Sequence, residues 1–227
     1  MPLWLNEASS PIFPPVERLD PEHTGIVAVN GDFSIERLIN AYANGIFPWP
    51  SDYGLLWHSP DPRYVLFTDD AHLSRSLLKQ IRSGRFETRF DTNFASVIRL
   101  CSEERKRGTW ILPEMQTAYT RLHELGYAHS AETYDAETGE LIGGLYGVSI
   151  GKSFAGESCF FRRDNAGKIA FAALVAKLGE LGIPFMDCQM ETPLSKGFGG
   201  VFVSRKQYLT MLRRQVQQQD IPKNWMM

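Results

Sequence analysis

The stretch from Gly143 to Phe161 reads GGLYGVSIGKSFAGESCFF, and Met186-Asp187-Cys188-Gln189 follows it one helix later. Two apolar runs meet at Gly151-Lys152, which predicts a hairpin of Leu141 to Ile150 against Ser153 to Phe161. Ala128 to Tyr134 alternates in the same way across a turn through Asp135 to Glu140, so the three runs form an antiparallel meander. Asp164 to about Gly182 carries the apolar period of a helix, and Phe185 to Gln189 is a further strand. Three strands, a helix and a strand predict an α+β fold with a mostly antiparallel sheet. Glycines inside strands mark bulges or places where a backbone or ligand comes close. Glu157, a carboxylate inside an apolar run, is either paired or functional. Asp187 and Gln189 lie two residues apart, which predicts a shared strand face and a polar centre in an apolar pocket.

Working outward, Pro113 at a first helical position starts a helix through Tyr119 and Leu122 that Gly126 stops. Asp91 and Asn93 are N-cap residue types for a helix from Phe94 to about Arg107. Its last turn, Glu103-Glu104-Arg105-Lys106-Arg107, places cations where the helix dipole favours them, so that basic run requires no ligand. Phe86 to Phe90 reads as a strand, and Ala71 to Ser83 as a helix with Leu73, Leu77, Leu78 and Ile81 on one face. Ile46 to Arg63, IFPWPSDYGLLWHSPDPR, holds too much proline for a helix. It reads as a rigid joint whose aromatics fill the seam between two domains, or as a surface where Trp49 and Trp57 stack on a base or an apolar group. Gly25 to Val29 is a strand, Ser34 caps a helix through Leu38 and Tyr42, and Gly45 is its C-cap. Residues 1 to about 25, with Pro11, Pro14, Pro15 and Pro21, are extended. At the other end, a glycine-rich loop from Gly197 to Gly200 precedes a helix from Arg205 to Gln219.

A chain of 227 residues holds one large core, or a principal domain with a small appendage. The net charge of -2 argues against a generally basic nucleic-acid coat, though a local basic patch depends on placement and not on the sum. Three cysteines, Cys101, Cys159 and Cys188, are odd in number and sit in apolar or helical contexts, which fits reduced thiols. Neither a signal peptide nor an apolar run of membrane-spanning length is present, so a soluble cytoplasmic protein is expected.

Gly147-Val148-Ser149-Ile150-Gly151 matches the G-x-S-x-G nucleophile pattern. That pattern needs a strand, a sharp turn and a helix, and here it lies within a strand that ends in a hairpin. The histidines, His23, His58, His72, His123 and His129, show no metal-ligand spacing, so no metal is expected. Arg162, Arg163 and Lys168 flank the start of the helix after the meander. Together with Asn165 they read either as solvated charges or as a phosphate-proximal set.

Several segments then agree with one family: NGDFSIERLINAYANGIFPW from Asn30, WHSPDPR from Trp57, GTWI from Gly108, the Tyr119 to Ser130 run, GGLYGVSIG, FAGESCFF, DNAGK and MDCQ. Across most of its length the chain resembles the leucyl/phenylalanyl-tRNA-protein transferases. The resemblance implies a GNAT-like acyltransferase domain over residues 64–227, preceded by a small N-terminal α/β domain with a Pro/Trp-rich joint over residues 1–63. It implies transfer of Leu or Phe, and less well Met, from aminoacyl-tRNA to the N-terminal Arg or Lys of acceptor proteins, marking them for degradation, without a cofactor. Glu157, Asp187 and Gln189 would surround the reacting amine, and Trp49, Trp110, Leu145, Phe154, Gly156 and Met186 would form the substrate pocket. Arg162, Arg163, Asn165 and Lys168 would lie near the tRNA. Phe161, Gly167, Leu194 and the Gly197 to Gly200 loop depart from the usual family pattern. An acyl-CoA-dependent N-acyltransferase on the same fold is the alternative, although Arg162 to Gly167 does not supply its pyrophosphate-binding turn.

Overall fold

The computed structural model describes residues 2–6, 10–18, 25–104, 108–219, 221–223 and 225. Pro21, His23 and the basic residues Arg105, Lys106 and Arg107 lie outside the described residues. In chain order the elements are β1 (Leu3–Leu5), β2 (Ile26–Asn30), α1 (Ile35–Ala43), β3 (Phe47–Ser51), β4 (Gly54–His58), β5 (Arg63–Phe67), α2 (Arg75–Ile81) and β6 (Phe86–Phe90). There follow α3 (Phe94–Glu103), α4 (Pro113–Glu124), β7 (Ala128–Asp135), β8 (Leu141–Ile150) and β9 (Ser153–Phe161). The chain continues with α5 (Ala166–Glu180), β10 (Phe185–Gln189), α6 (Pro193–Gly197), β11 (Val201–Val203) and α7 (Arg205–Val216).

Two sheets organise these elements. A small one has the order β1-β2-β4-β3, and a seven-stranded one runs β11-β5-β10-β9-β8-β7-β6. The large sheet is antiparallel except for the β9–β10 pair. The mixed α+β class with mostly antiparallel strands is as expected. Side chains of β8 divide between two cores, as the period of two requires: Tyr146, Val148 and Ile150 join one, and Leu145 joins the other. The first core packs α1, α3, α4 and α7 on one face, and the second packs α2 and α5 on the other. Gly143 admits α5 against the sheet, since a Cβ there would lie 2.7 Å from the Cβ of Ala166.

The meander and the strand Phe185–Gln189 fall where the alternation places them, and four other readings change. The Pro-rich segment, read as a rigid joint, forms a regular hairpin, β3 against β4. Pro48 and Pro50 are tolerated because β3 is an edge strand of the small sheet, where a missing donor faces no partner. Arg63–Phe67 is a strand that the sequence reading passes over; β5 pairs with both β10 and β11. Its four apolar residues after Arg63 are too few to show a period. The Gly197 to Gly200 segment is flanked by the short α6 and by β11 instead of being a plain loop. Asp91 does not cap α3: its carboxylate pairs with buried His129 Nδ1 at 2.8 Å and accepts the Ser130 amide at 2.8 Å. Among the described residues no helix is long and apolar enough to cross a membrane.

Candidate active site

The site forms where two neighbouring strands each lose their regular register. Opposite β8, the register of β9 shifts between Tyr146↔Ser158 and Gly147↔Gly156, so Glu157 is the extra residue of a bulge. Gly147 is required there, because a Cβ would lie 2.3 Å from the carbonyl oxygen of Ala155. Opposite β5, the register of β10 shifts between Asp187 and Gln189, and Gln189 has φ 62. The recorded β9–β10 pairs are Met186↔Phe154 and Asp187↔Ala155. Past them the two strands continue to Phe161 and Gln189 and frame a cleft of about 870 Å³.

Asp187 is 3 % exposed and saturated with donors. Arg63 donates to both of its oxygens, Nε to Oδ1 at 2.8 Å and Nη2 to Oδ2 at 2.6 Å. Tyr208 donates to Oδ2 at 2.8 Å, and the backbone amide of Gln189 donates to Oδ1 at 2.9 Å. The Arg63 guanidinium lies between the rings of Phe47 and Tyr208, 4.8 and 4.5 Å from their centroids. Burial opposes the Arg63 charge, yet Asp187 outweighs it and raises the guanidinium above its ordinary range. Asp187 therefore shapes the site through the Gln189 backbone.

The Gln189 side chain belongs to Glu157 instead, its Nε2 donating to Glu157 Oε1 at 2.7 Å. The shared strand face expected for Asp187 and Gln189 is thus corrected, because the bulge and the positive φ break the two-residue alternation on which it rested. Burial pushes the Glu157 carboxyl up to about 7, against hydrogen bonds from Tyr42 and Gln189 that lower it. Tyr42 is also hydrogen-bonded to Tyr119. Both phenols are held well above their ordinary range, first by burial and then by the Glu157 charge.

Leu145, Gly156, Met186, Trp49 and Trp110 line the cleft with Glu157 and Gln189. Trp49 and Trp110 stack on one another, centroids 5.1 Å apart and planes at 20°. Phe154 does not line it: at 1 % exposure it packs against Trp225 with the second core. Trp57 is likewise fully buried, its indole nitrogen donating to the Asn30 carbonyl at 2.8 Å, so it offers no stacking face. Asn165 and Lys168 reach the cleft. Arg162 is paired with Glu104 at 2.8 Å and Arg163 with Asp135, and neither lines it. Cys188 lines the cleft as a thiol held far above its ordinary range by burial and by Asp187. Among the described residues no cluster of His, Cys, Asp and Glu could hold a metal ion.

Sequence reading missed Arg63, Tyr42, Tyr119 and Tyr208. A buried Asp in an apolar strand demands a cation, and the only signal for which one was the Arg closing WHSPDPR. The tyrosines looked like ordinary apolar positions of their helices. A second groove, of about 490 Å³, is lined by Arg75, Lys79, Arg82 and Arg85 of α2 and its exit. Of these, Arg75, Lys79 and Arg82 have no carboxylate partner among the described residues.

Comparison with known proteins gives two family-model matches. Residues 65–213 match the leucyl/phenylalanyl-tRNA protein transferase model, and residues 31–61 match the model of that family's N-terminal domain. The chain belongs to this family. A leucyl/phenylalanyl-tRNA--protein transferase of Chromobacterium violaceum is 46 % identical over 98 % of this chain and 95 % of its own length. Another, of Pseudomonas fluorescens, is 47 % identical over 95 % of each chain. A third, of Dechloromonas aromatica, is 49 % identical over 88 % of this chain and 87 % of its own. Among solved structures, L-PGS from Bacillus licheniformis aligns with TM-score 0.42 and 9 % identity over 85 % of this chain and 73 % of that one.

Proposed function

We infer that this chain transfers Leu or Phe from aminoacyl-tRNA to the N-terminal Arg or Lys of a protein, with the Glu157–Gln189 pair receiving the acceptor amine. As a member of its family the chain is an aminoacyltransferase. One observation carries the assignment of roles: a hydrogen-bonded carboxylate and amide on two bulged strands, opening into a cleft with an apolar wall of Leu145, Phe171 and Met186. An aminoacyl ester is already activated, so the work is to hold the ester and a neutral amine together, which oriented pairs accelerate by about 7 to 11 kcal/mol.

Gln189 spends its Nε2 on Glu157, and its Oε1 has no protein hydrogen bond among the described residues, so Oε1 is the end that accepts from the amine. The incoming ammonium loses one proton to the Glu157 carboxylate, whose raised affinity near neutral pH suits an amine with an ordinary value of about 8. The amine lone pair then forms the N–C bond as the bond from carbonyl carbon to ribose oxygen breaks. The second amine proton goes to that departing oxygen. Before it takes the ammonium proton, the ionised Glu157 carboxylate also attracts the positive side chain of Arg or Lys. Leu145, Met186 and Phe171 give the donor's side chain an apolar wall, which favours Leu and Phe over polar residues.

The parallel β9–β10 pair that diverges at the site is the GNAT-like feature in this reading, with residues 64–227 as the catalytic domain and 1–63 as the smaller one. For the tRNA backbone, α2 offers unpaired cations, Lys168 stands at the cleft, and Arg162 and Arg163 are already neutralised. The acyl-CoA alternative has no support from the matched relatives. The test mixes the protein, Leu-tRNA and a peptide beginning with Arg, with a peptide beginning with Asp as control. Transfer to the first alone is expected; transfer to neither overturns the reading.

A further inference from the structure

Three neighbouring strands bring the cleft's edge to an open rim of the sheet. Gln189 pairs with Tyr64 of β5, and Tyr64 pairs with Phe202 of β11. The rings of Tyr64 and Phe202 meet edge to face with centroids 4.7 Å apart, so both lie on one face of the sheet. It is the face of the cleft: Leu66, two residues from Tyr64, joins the same core as the cleft-lining Leu145 and Met186. Strands are spaced at about 4.8 Å, so Phe202 stands roughly 10 Å from Gln189 across two strands.

At this rim apolar side chains are open to solvent. Phe202 is 55 % exposed, and Val201 and Met190 are 43 % exposed, with Met190 itself at the cleft. β11 is the terminal strand of its sheet, so its outer backbone edge has no strand partner among the described residues. Such an edge is a template for another extended chain, and a strand of three residues accepts a short segment without inviting a sheet to grow.

We propose that β11 and the Phe202 side chain bind the acceptor polypeptide, holding the third to fifth residues of its extended N-terminal segment beside the cleft that receives its amine. The inference rests on the transfer reading above and adds a subsite to it. An extended chain advances about 3.3 Å per residue, so a chain whose first residue is at Gln189 reaches the Phe202 row with its fourth residue and the outer edge of β11, one strand spacing further on, with its fifth. A protein acceptor, unlike a small amine, has to leave the cleft as an extended chain, and the edge supplies both backbone pairing and an apolar anchor. RNA is the less suitable occupant: the cation of α6, Lys196, is already paired with Glu191 at 3.1 Å, leaving exposed apolar surface where phosphates would need unpaired charge.

The experiment compares transfer from Leu-tRNA to three acceptors: Arg-Ala amide, Arg-Ala-Val-Leu-Val and Arg-Ala-Asp-Gly-Asp, using the wild-type protein and Phe202→Ser. Wild type is expected to show a KM for the apolar pentapeptide about five- to tenfold below that of the acidic one, as burial of a half-exposed aromatic ring implies. Phe202→Ser should abolish that difference with kcat unchanged, and leave the KM values for Arg-Ala amide and for Leu-tRNA as they were. Proline at residue five of the apolar peptide, where the chain reaches the β11 edge and its backbone would donate, should weaken it in the wild type. Equal KM values for both pentapeptides in the wild type overturn the proposal. A Phe202→Ser effect that is equally large on Arg-Ala amide, or that falls on Leu-tRNA, also overturns it. No transfer to any peptide overturns the underlying function as well, whereas normal transfer indifferent to Phe202 overturns the subsite alone.

Discussion

Glu157→Gln should stabilise the protein while disabling it. Burial pushes the carboxyl from its ordinary 4.5 to about 7, so the folded protein binds this proton more tightly than the unfolded chain does. Between those values the native state carries more protons, and stability falls as pH rises, from full value below about 4.5 to a plateau of loss above about 7. The ionised carboxylate thus costs about 3 kcal/mol at pH 8 but less than about 1 kcal/mol at pH 5. Glutamine keeps the shape and a carbonyl that still accepts from Gln189 and Tyr42, and it has no proton to lose. Thermal unfolding of the two proteins should therefore diverge with pH. The variant should melt about 6 °C higher at pH 8, given the unfolding entropy of a chain this size, and within about 2 °C at pH 5. The transfer rate of the same variant should drop at least tenfold at pH 7.5. An unchanged difference in melting temperature across pH 5 to 8 would refute the buried-carboxylate argument, and a full transfer rate would refute the role built on it.

Three further expectations follow from the neighbours of that carboxylate and from the cations. Tyr42→Phe removes a donor that lowers the Glu157 affinity for its proton, so the acid limb of the pH–rate profile should move to higher pH, with the lost rate recovered above it. Arg63→Met leaves Asp187 buried and uncompensated, which should cost about 3 to 5 kcal/mol and lower the melting temperature by roughly 6 to 10 °C. Adding Asp187→Asn should restore part of this, as calorimetry would show. Replacing Lys79 and Arg82 together with Glu should raise the KM for aminoacyl-tRNA and flatten its salt dependence by about two in log–log slope. Arg162→Ala, by contrast, should leave both unchanged, because its charge is already matched by Glu104.

The core of the fold could be read from periodicity because the meander's strands are long. β8 and β9 run ten and nine residues, and their alternation has room to declare itself. β5 gives only YVLF after Arg63, and the β3–β4 hairpin hides behind two prolines that an edge strand accommodates. Glu157 stood out because a carboxylate in an apolar run violates local expectation. What could not be read was geometry created by irregularity. The bulges at Glu157 and Cys188 decide that Gln189 answers to Glu157, and no period of two foretells a bulge. Phe154 shows the same limit from the other side, since strand pattern makes it apolar without saying that Trp225 covers it. Arg63 and Tyr42 come from segments more than a hundred residues away from their partners, and only tertiary packing brings them to the site.

The most direct test of the account is the single-turnover rate of transfer from Leu-tRNA to an Arg-initiated peptide, measured for the wild type and for Glu157→Gln between pH 5.5 and 8.5. The variant can use only an amine that is already neutral, whereas the wild type takes the ammonium and removes its proton with the ionised carboxylate. The account predicts that the ratio of wild type to variant is level below about pH 7, where both rates rise together with pH, and falls above it as the amine loses its proton unaided. A ratio that stays flat across this range would contradict it.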